Sequence, residues 1–332
     1  MRTMKKIDKH IEIVVTGIDG LNLMSKRTCN MIYEVLIKNY EKVRITTIEK
    51  EIDLEKLVKR SPDLVFSSIK CIRFEDDDGN FTNMVWLSEY LDEVGIKYTG
   101  SKKEALELDF DKSKAKKKLQ KANIDTSIFF IAVPNQFSKS EDLPIPFPLF
   151  IKPLCQGGGE GINFDSIVRD FESYRKKIKD IFRQTGTPAL VEKYLSGREF
   201  TVGIIGNDYK NLIVMPIEII SVPNAAKEKV RGSRVKEEDT EKPLYIKNKV
   251  ILKNVSMLAK NAYKALGANG YGRIDIRMDG KEVPYFLEAN LVPGLDKNYG
   301  DLPRSCKINN VMTYEAMILE IVKLGFKRTC NE

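Results

Sequence analysis

Short aliphatic and β-branched runs alternate with amphipathic stretches along the first third of the chain. IEIVVTGI from Ile11, VRITTIE from Val43 and DLVFSSI from Asp63 read as strands, and residues 29–39 and 54–59 between them read as helices. Strand–helix alternation of this kind predicts a small parallel α/β unit. A further helix over residues 83–94 leads into KYTGS, a short strand closed by a glycine turn, which places a first boundary near residue 105.

A lysine-rich helix follows, then the strand IFFIAV, a proline-punctuated loop at 143–148 and the strand PLFIKP with its glycine-rich turn. After it come a helix at 166–182, the strand ALVEKYL, a hairpin through FTVGIIGNDYKNLIVMPIEII and a polar segment at 221–242. The last third reads as a long helix, a strand pair and a final helix. The expected units are residues 1–105, 106–196 and 197–332.

A length of 332 residues fits two or three subdomains around one cleft. Hydrophobic residues are 42% and charged residues 31%, the balance of a soluble globular protein, and no run nears the ~18 apolar residues of a spanning helix. The basic start MRTMKKIDKH has no apolar core or cleavage site, and reads as a short disordered or pairing extension that holds the single histidine, His10. The five cysteines (Cys29, Cys71, Cys155, Cys306, Cys330) never form CxxC, which argues against a disulfide framework or zinc site and fits the reducing cytoplasm. A net charge of +8 and the run KSKAKKKLQK raise nucleic acid as a partner. However, the run is amphipathic, with Ala115, Leu119 and Ala122 on one side, and no nucleic-acid motif accompanies it, so a solvated face is the better reading and no nucleic-acid or membrane partner is expected.

Three segments carry chemistry. In PLFIKPLCQGGGEGI a strand delivers Lys152 and is followed by Gly157, Gly158, Gly159 and Gly161; backbone N–H groups without Cβ neighbours can wrap a phosphate while the lysine supplies fixed charge. The loop is neither a Walker A sequence nor a GxGxxG fingerprint, and alone it reads better as a hairpin turn. In ALVEKYLSGREFTVGIIG, Glu192 and Lys193 leave one strand and Glu199 enters the next; the carboxylates suit sugar hydroxyls and the backbone suits a purine edge. In YGRIDIRMDGKEVPYFLEANLVPG, strand alternation puts Glu288 and Asn290 on one face with Asp275 opposite, an oxygen set suited to Mg²⁺ or Mn²⁺. Arg273 shares that face and can steady developing negative charge. Cys155 has no histidine to activate it and reads as a packing residue.

In this order, from DDDGN at Asp76 and GIKYTGS at Gly95 through DFDKSKAKKKLQKANI to FLEANLVPG, the segments resemble the ATP-grasp superfamily and within it the D-alanine:D-alanine ligases. Each motif alone is weak, whereas the ordered set is specific. The resemblance implies an ATP-grasp α/β fold with an N-terminal Rossmann-like parallel domain, a central small α+β subdomain and a C-terminal α+β subdomain. It implies that Lys116, Lys152, Gly157 and Gly161 bind ATP phosphates, that Glu192, Lys193, Tyr194 and Leu195 meet the adenine, and that Glu199 meets the ribose. It further implies Mg²⁺ on Asp275, Glu288 and Asn290, and a homodimer. Arg273, Gly158, Gly159 and Lys227 would serve the reaction, Lys227 from a closing segment at 221–242. The implied activity is ATP-dependent joining of a small-molecule carboxylate to an amine through an acyl phosphate.

Several positions depart from the family pattern. Asn22 stands where an acidic residue would anchor the first substrate's ammonium, with Asp19 the nearest carboxylate. Gly158 and Gly159 replace two serines, Glu228 replaces a tyrosine, and GLDKNYGDLPRS replaces a serine-rich turn, with Lys297 and Arg304 as substitutes. These changes predict a different donor or acceptor. The alternatives are a genuine D-alanine:D-alanine ligase, acyl transfer to an acyl carrier protein or thiol, and a non-catalytic nucleotide-binding module.

Overall fold

A computed structural model describes residues 5–16, 24–75, 81–155, 161–222 and 241–328. Its first part comprises β1 (Ile7–Thr16), α1 (Lys26–Asn39), β2 (Tyr40–Ile48), α2 (Glu51–Lys59) and β3 (Leu64–Ser67). The strands form a parallel sheet in the order β2-β1-β3, as the alternation predicts. Helix α1 starts where the Ser25 hydroxyl accepts from the Thr28 N–H at 3.2 Å, satisfying one of the donors that a helix start leaves unpaired. Part of the expected N-terminal extension is β1 itself, with Ile7 opposite Tyr40 and His10 opposite Lys42. Buried Glu12 on that strand is satisfied by Arg60 at 2.6 Å and by the Thr46 hydroxyl, so a charge inside the sheet is tolerable.

The helix expected over 83–94 begins later. Residues Phe81–Trp86 form strand β5, antiparallel to β4 (Cys71–Glu75), and only Leu87–Glu93 is helical (α3). Cross-strand pairing overrides local propensity here. Helix α4 (Lys103–Phe110) is a further element that the pattern did not separate from its neighbour.

Helix α5 (Lys112–Lys121) is capped by Asp111, which accepts from the Ser113 and Lys114 N–H groups at 3.0 and 3.1 Å. Lys114, Lys117, Lys118 and Lys121 are exposed as expected, whereas Lys112 and Lys116 are buried with Ala115 and Leu119. Next come β6 (Phe129–Ala132), β7 (Leu149–Pro153), β8 (Ile167–Val168), α6 (Phe171–Thr185) and β9 (Ala189–Lys193). Their strands make a small antiparallel sheet ordered β6-β9-β7-β8. Helix α6 covers it with Tyr174, Ile178 and Ile181 and ends at Gly186, whose φ of +65° gives the left-handed stop that glycine adopts without strain.

The remaining strands are β10 (Glu199–Ile205), β11 (Ile213–Ile220), β12 (Lys242–Tyr245), β13 (Tyr271–Met278) and β14 (Pro284–Asn290), in the order β12-β11-β10-β13-β14. Helix α7 (Lys249–Leu266) packs on this sheet through Val255, Ala259, Ala262 and Tyr263. Two helices close the chain where one was expected: α8 (Asp301–Ile308) and α9 (Tyr314–Phe326). Helix α9 buries Met317, Ile318 and Ile321 in the same core as α1, so the C-terminal helix stabilises the N-terminal sheet. Among the described residues no helix is long and apolar enough to cross a membrane.

Candidate active site

Strand alternation builds the site. In the β10–β13 register Glu199 pairs with Arg277, Thr201 with Asp275 and Gly203 with Arg273, and positions two apart share a face. Across β14, Asp275 lies opposite Glu288 and Arg273 opposite Asn290. The irregularity after Asp275 in this pairing lets both Leu287 and Glu288 line one cleft. The structure thus brings together Asp275, Glu288 and Asn290 as alternation predicts.

Asp275 is 5% exposed and closely held. The Thr201 hydroxyl donates to its Oδ1 at 2.8 Å, while Arg273 Nη2 and Asn290 Nδ2 donate to its Oδ2 at 2.9 and 3.2 Å. Among the described residues no three His, Cys, Asp or Glu side chains form a metal cluster. The set here is two carboxylates and an amide, hard oxygen donors whose chemistry fits Mg²⁺ held jointly with nucleotide phosphates.

The cleft opens between this sheet and the four-stranded one and is lined from both. Ser127, Lys152, Glu192, Lys193, Tyr194 and Leu195 line one side, and Glu199, Asp275, Arg277 and Glu288 the other. Glu192 is its electrostatic centre. Lys116 Nζ lies 2.6 Å from one carboxylate oxygen and Lys152 Nζ 2.9 Å from the other, and the Ser127 hydroxyl donates to Oε1 at 2.5 Å. Burial alone would push the Glu192 carboxyl up, but the two ammonium groups and the hydroxyl outweigh it and hold it at about 2.

Lys152 faces the cleft. Lys116 is fully buried behind it, donating to Ser127 Oγ at 3.0 Å and to the Phe286 carbonyl at 3.2 Å. Gly161 is described, with φ +70° and its carbonyl accepting from Lys177 Nζ at 3.1 Å. Gly157, Gly158, Gly159, Asp19, Asn22, Lys227 and Glu228 lie outside the described residues. Burial pushes the Cys155 thiol up, consistent with a packing role. Lys297 bonds Glu315 at 3.0 Å, and Arg304 donates to the Asn298 carbonyl at 2.9 Å, so both are engaged in local contacts.

Arg277 was missed in the sequence. It lies two residues beyond Asp275 on the same face, 3.3 Å from Glu199 and with its guanidinium 5.5 Å from the centre of the Tyr194 ring. Ser127, Phe150, Ile162 and Leu287 also line the cleft without any sequence signal that marks them.

A parallel α/β unit followed by two antiparallel sheets that face each other across such a cleft is the architecture of the ATP-grasp enzymes. The model of the D-ala D-ala ligase C-terminus matches residues 131–323. A D-alanine--D-alanine ligase from Bacillus anthracis is 30% identical over 298 residues, covering 86% of this chain and 87% of that protein. Another from Carboxydothermus hydrogenoformans is 27% identical over 335 residues, covering 96% and 98%. The crystal structure of D-alanine--D-alanine ligase from Bacillus anthracis complexed with ATP superposes with a TM-score of 0.74 at 21% identity, covering 97% of this chain and 98% of that one. The chain belongs to the D-alanine:D-alanine ligase family, and is an ATP-dependent, ADP-forming ligase.

Proposed function

We propose that the chain joins two D-alanine molecules, as the names of its sequence relatives describe. The observation that carries the nucleotide half of this reading is the Lys116–Glu192–Lys152 triad at the cleft wall, beside the Glu199–Arg277 pair. Lys152 meets the phosphates, and Lys116 acts from behind by fixing Glu192, which with the backbone of Lys193, Tyr194 and Leu195 receives the adenine. Glu199 takes the ribose hydroxyls.

Asp275, Glu288 and Asn290 would hold Mg²⁺, which would supply charge neutralisation on the nucleotide phosphates. The donor carboxylate attacks the γ-phosphorus, ADP leaves, and the neutral amine of the acceptor displaces phosphate from the resulting acyl phosphate. Arg273, fixed beside Asp275, steadies the negative charge that develops on the transferring oxygens.

A second reading, a different donor or acceptor, is favoured by one structural observation. The turn after β14 brings a carboxylate, Asp301, onto Arg273, where the family pattern has serines. Incubation with ATP, Mg²⁺ and D-alanine separates the two readings. D-Alanyl-D-alanine with stoichiometric ADP supports the first; ADP release only when another amino acid or carboxylate is added supports the second.

A further inference from the structure

Arg273 is bracketed by carboxylates from two elements. Its Nη2 donates to Asp275 Oδ2 at 2.9 Å, and its Nη1 to Asp301 Oδ2 at 2.5 Å. All three side chains are at least nine-tenths buried. Asp275 belongs to the oxygen set on β13 and β14, whereas Asp301 is the first residue of α8 and does not line the nucleotide cleft.

The fold builds this contact deliberately close. Gly203 sits opposite Arg273 in the strand register, and a Cβ there would come within 2.8 Å of Leu302 Cδ1 and 3.1 Å of Ser305 Cβ. Without that side chain, α8 lies directly on the sheet and its first residue reaches the guanidinium. The turn before it is equally tight: the Gly300 N–H donates to the Asp296 carbonyl at 2.8 Å, and a Cβ on Gly300 would meet the Gly294 carbonyl oxygen at 2.6 Å.

A guanidinium beside Asp275 opposes the binding of a dication to the same carboxylate, because like charges at such separations repel strongly in a partly buried site. Asp301 offsets that charge and also fixes the fork, with Nη1 held at Asp301 and Nη2 at Asp275. We propose that Asp301 is a positioning residue that sets the divalent-metal affinity of the Asp275–Glu288–Asn290 site by neutralising and anchoring Arg273. This inference rests on the metal assignment made above.

The test is direct Mn²⁺ binding, by paramagnetic resonance with ADP present, alongside thermal unfolding in metal-free buffer. Asp301→Asn is expected to weaken Mn²⁺ binding about tenfold, the size seen when groups behind a metal ligand are removed. Arg273→Met combined with Asp301→Asn removes one charge of each sign and is expected to recover most of that loss while remaining inactive. Asp301→Ser serves as a second charge-removing variant if Asp301→Asn unfolds. A lower melting temperature with unchanged Mn²⁺ affinity, or a double variant as weak as the single one, overturns the proposal. Asp275→Asn is the control: if it binds Mn²⁺ like the parent, the metal assignment itself falls, whereas loss at Asp275 without loss at Asp301 removes this inference alone.

Discussion

Lys116 on helix α5 and Glu192 on strand β9 form an ion pair at 2.6 Å, and neither side chain is more than 3% exposed. With Lys152 on the other carboxylate oxygen, the triad joins three elements at the wall of the cleft. Glu192→Gln would leave two buried ammonium groups facing a neutral amide. Breaking a buried pair from one side costs about 3–5 kcal/mol, since the surviving charge stays desolvated. The variant should therefore show a lower urea midpoint in the absence of nucleotide as well as weaker ATP binding. An unchanged midpoint would show that the triad does not stabilise the fold.

Much of the site could be read from the sequence because it rests on alternation. Asp275, Glu288 and Asn290 follow from two strands and a turn, and the cross-strand register places them as the period of two requires. Arg277 was legible by the same rule, at the next position on the face that holds Arg273 and Asp275. Lys112 and Lys116 were harder to read: the amphipathic pattern assigns the lysines to the solvated face, and only tertiary packing shows that the buried side of the helix also carries two of them. Asp301 gave no signal, because its place depends on a missing side chain on another strand, Gly203. Residues 83–86 read as the start of a helix because single-segment propensity does not record their antiparallel partner, the preceding strand β4.

Arg277 joins Glu199 to the Tyr194 ring and so braces two of the groups assigned to the nucleoside. Its removal should loosen ATP without touching the phosphoryl-transfer groups. Hydrogen bonds to a charged partner contribute about 1.5–3 kcal/mol, which corresponds to a rise in the KM for ATP of roughly ten- to a hundredfold for Arg277→Ala. Steady-state kinetics should show kcat falling far less than kcat/KM. Equal losses in both would place Arg277 in the chemistry rather than in binding.

Gly203→Ala tests how closely α8 must approach the sheet. The new methyl group would press on Leu302, which is fully buried. Overpacking of this kind costs about 1–3 kcal/mol. Because Asp301 begins the displaced helix, the variant should lose metal affinity together with stability. Melting temperature and Mn²⁺ titration together check this. A stable variant with parental Mn²⁺ affinity would mean that α8 can shift without moving Asp301 from Arg273.

The low value of the Glu192 carboxyl gives the triad a defined pH signature. Burial opposes ionisation, yet Lys116 and Lys152 hold the folded-state value at about 2, against an ordinary value of 4.5. For a carboxyl depressed on folding, the unfolded chain takes up the proton first. The stabilisation is complete above about pH 4.5, declines as pH falls below it, and is gone near pH 2. A difference of about 2.5 units corresponds to roughly 3 kcal/mol at neutral pH. The gap in urea midpoint between the parent and Glu192→Gln should accordingly stay level from pH 7 to pH 5 and then narrow steadily between pH 4.5 and pH 3. Other carboxyls titrate in both proteins and cancel in the difference. A gap that stays constant down to pH 3 would show that Glu192 is not the ionised centre of the triad.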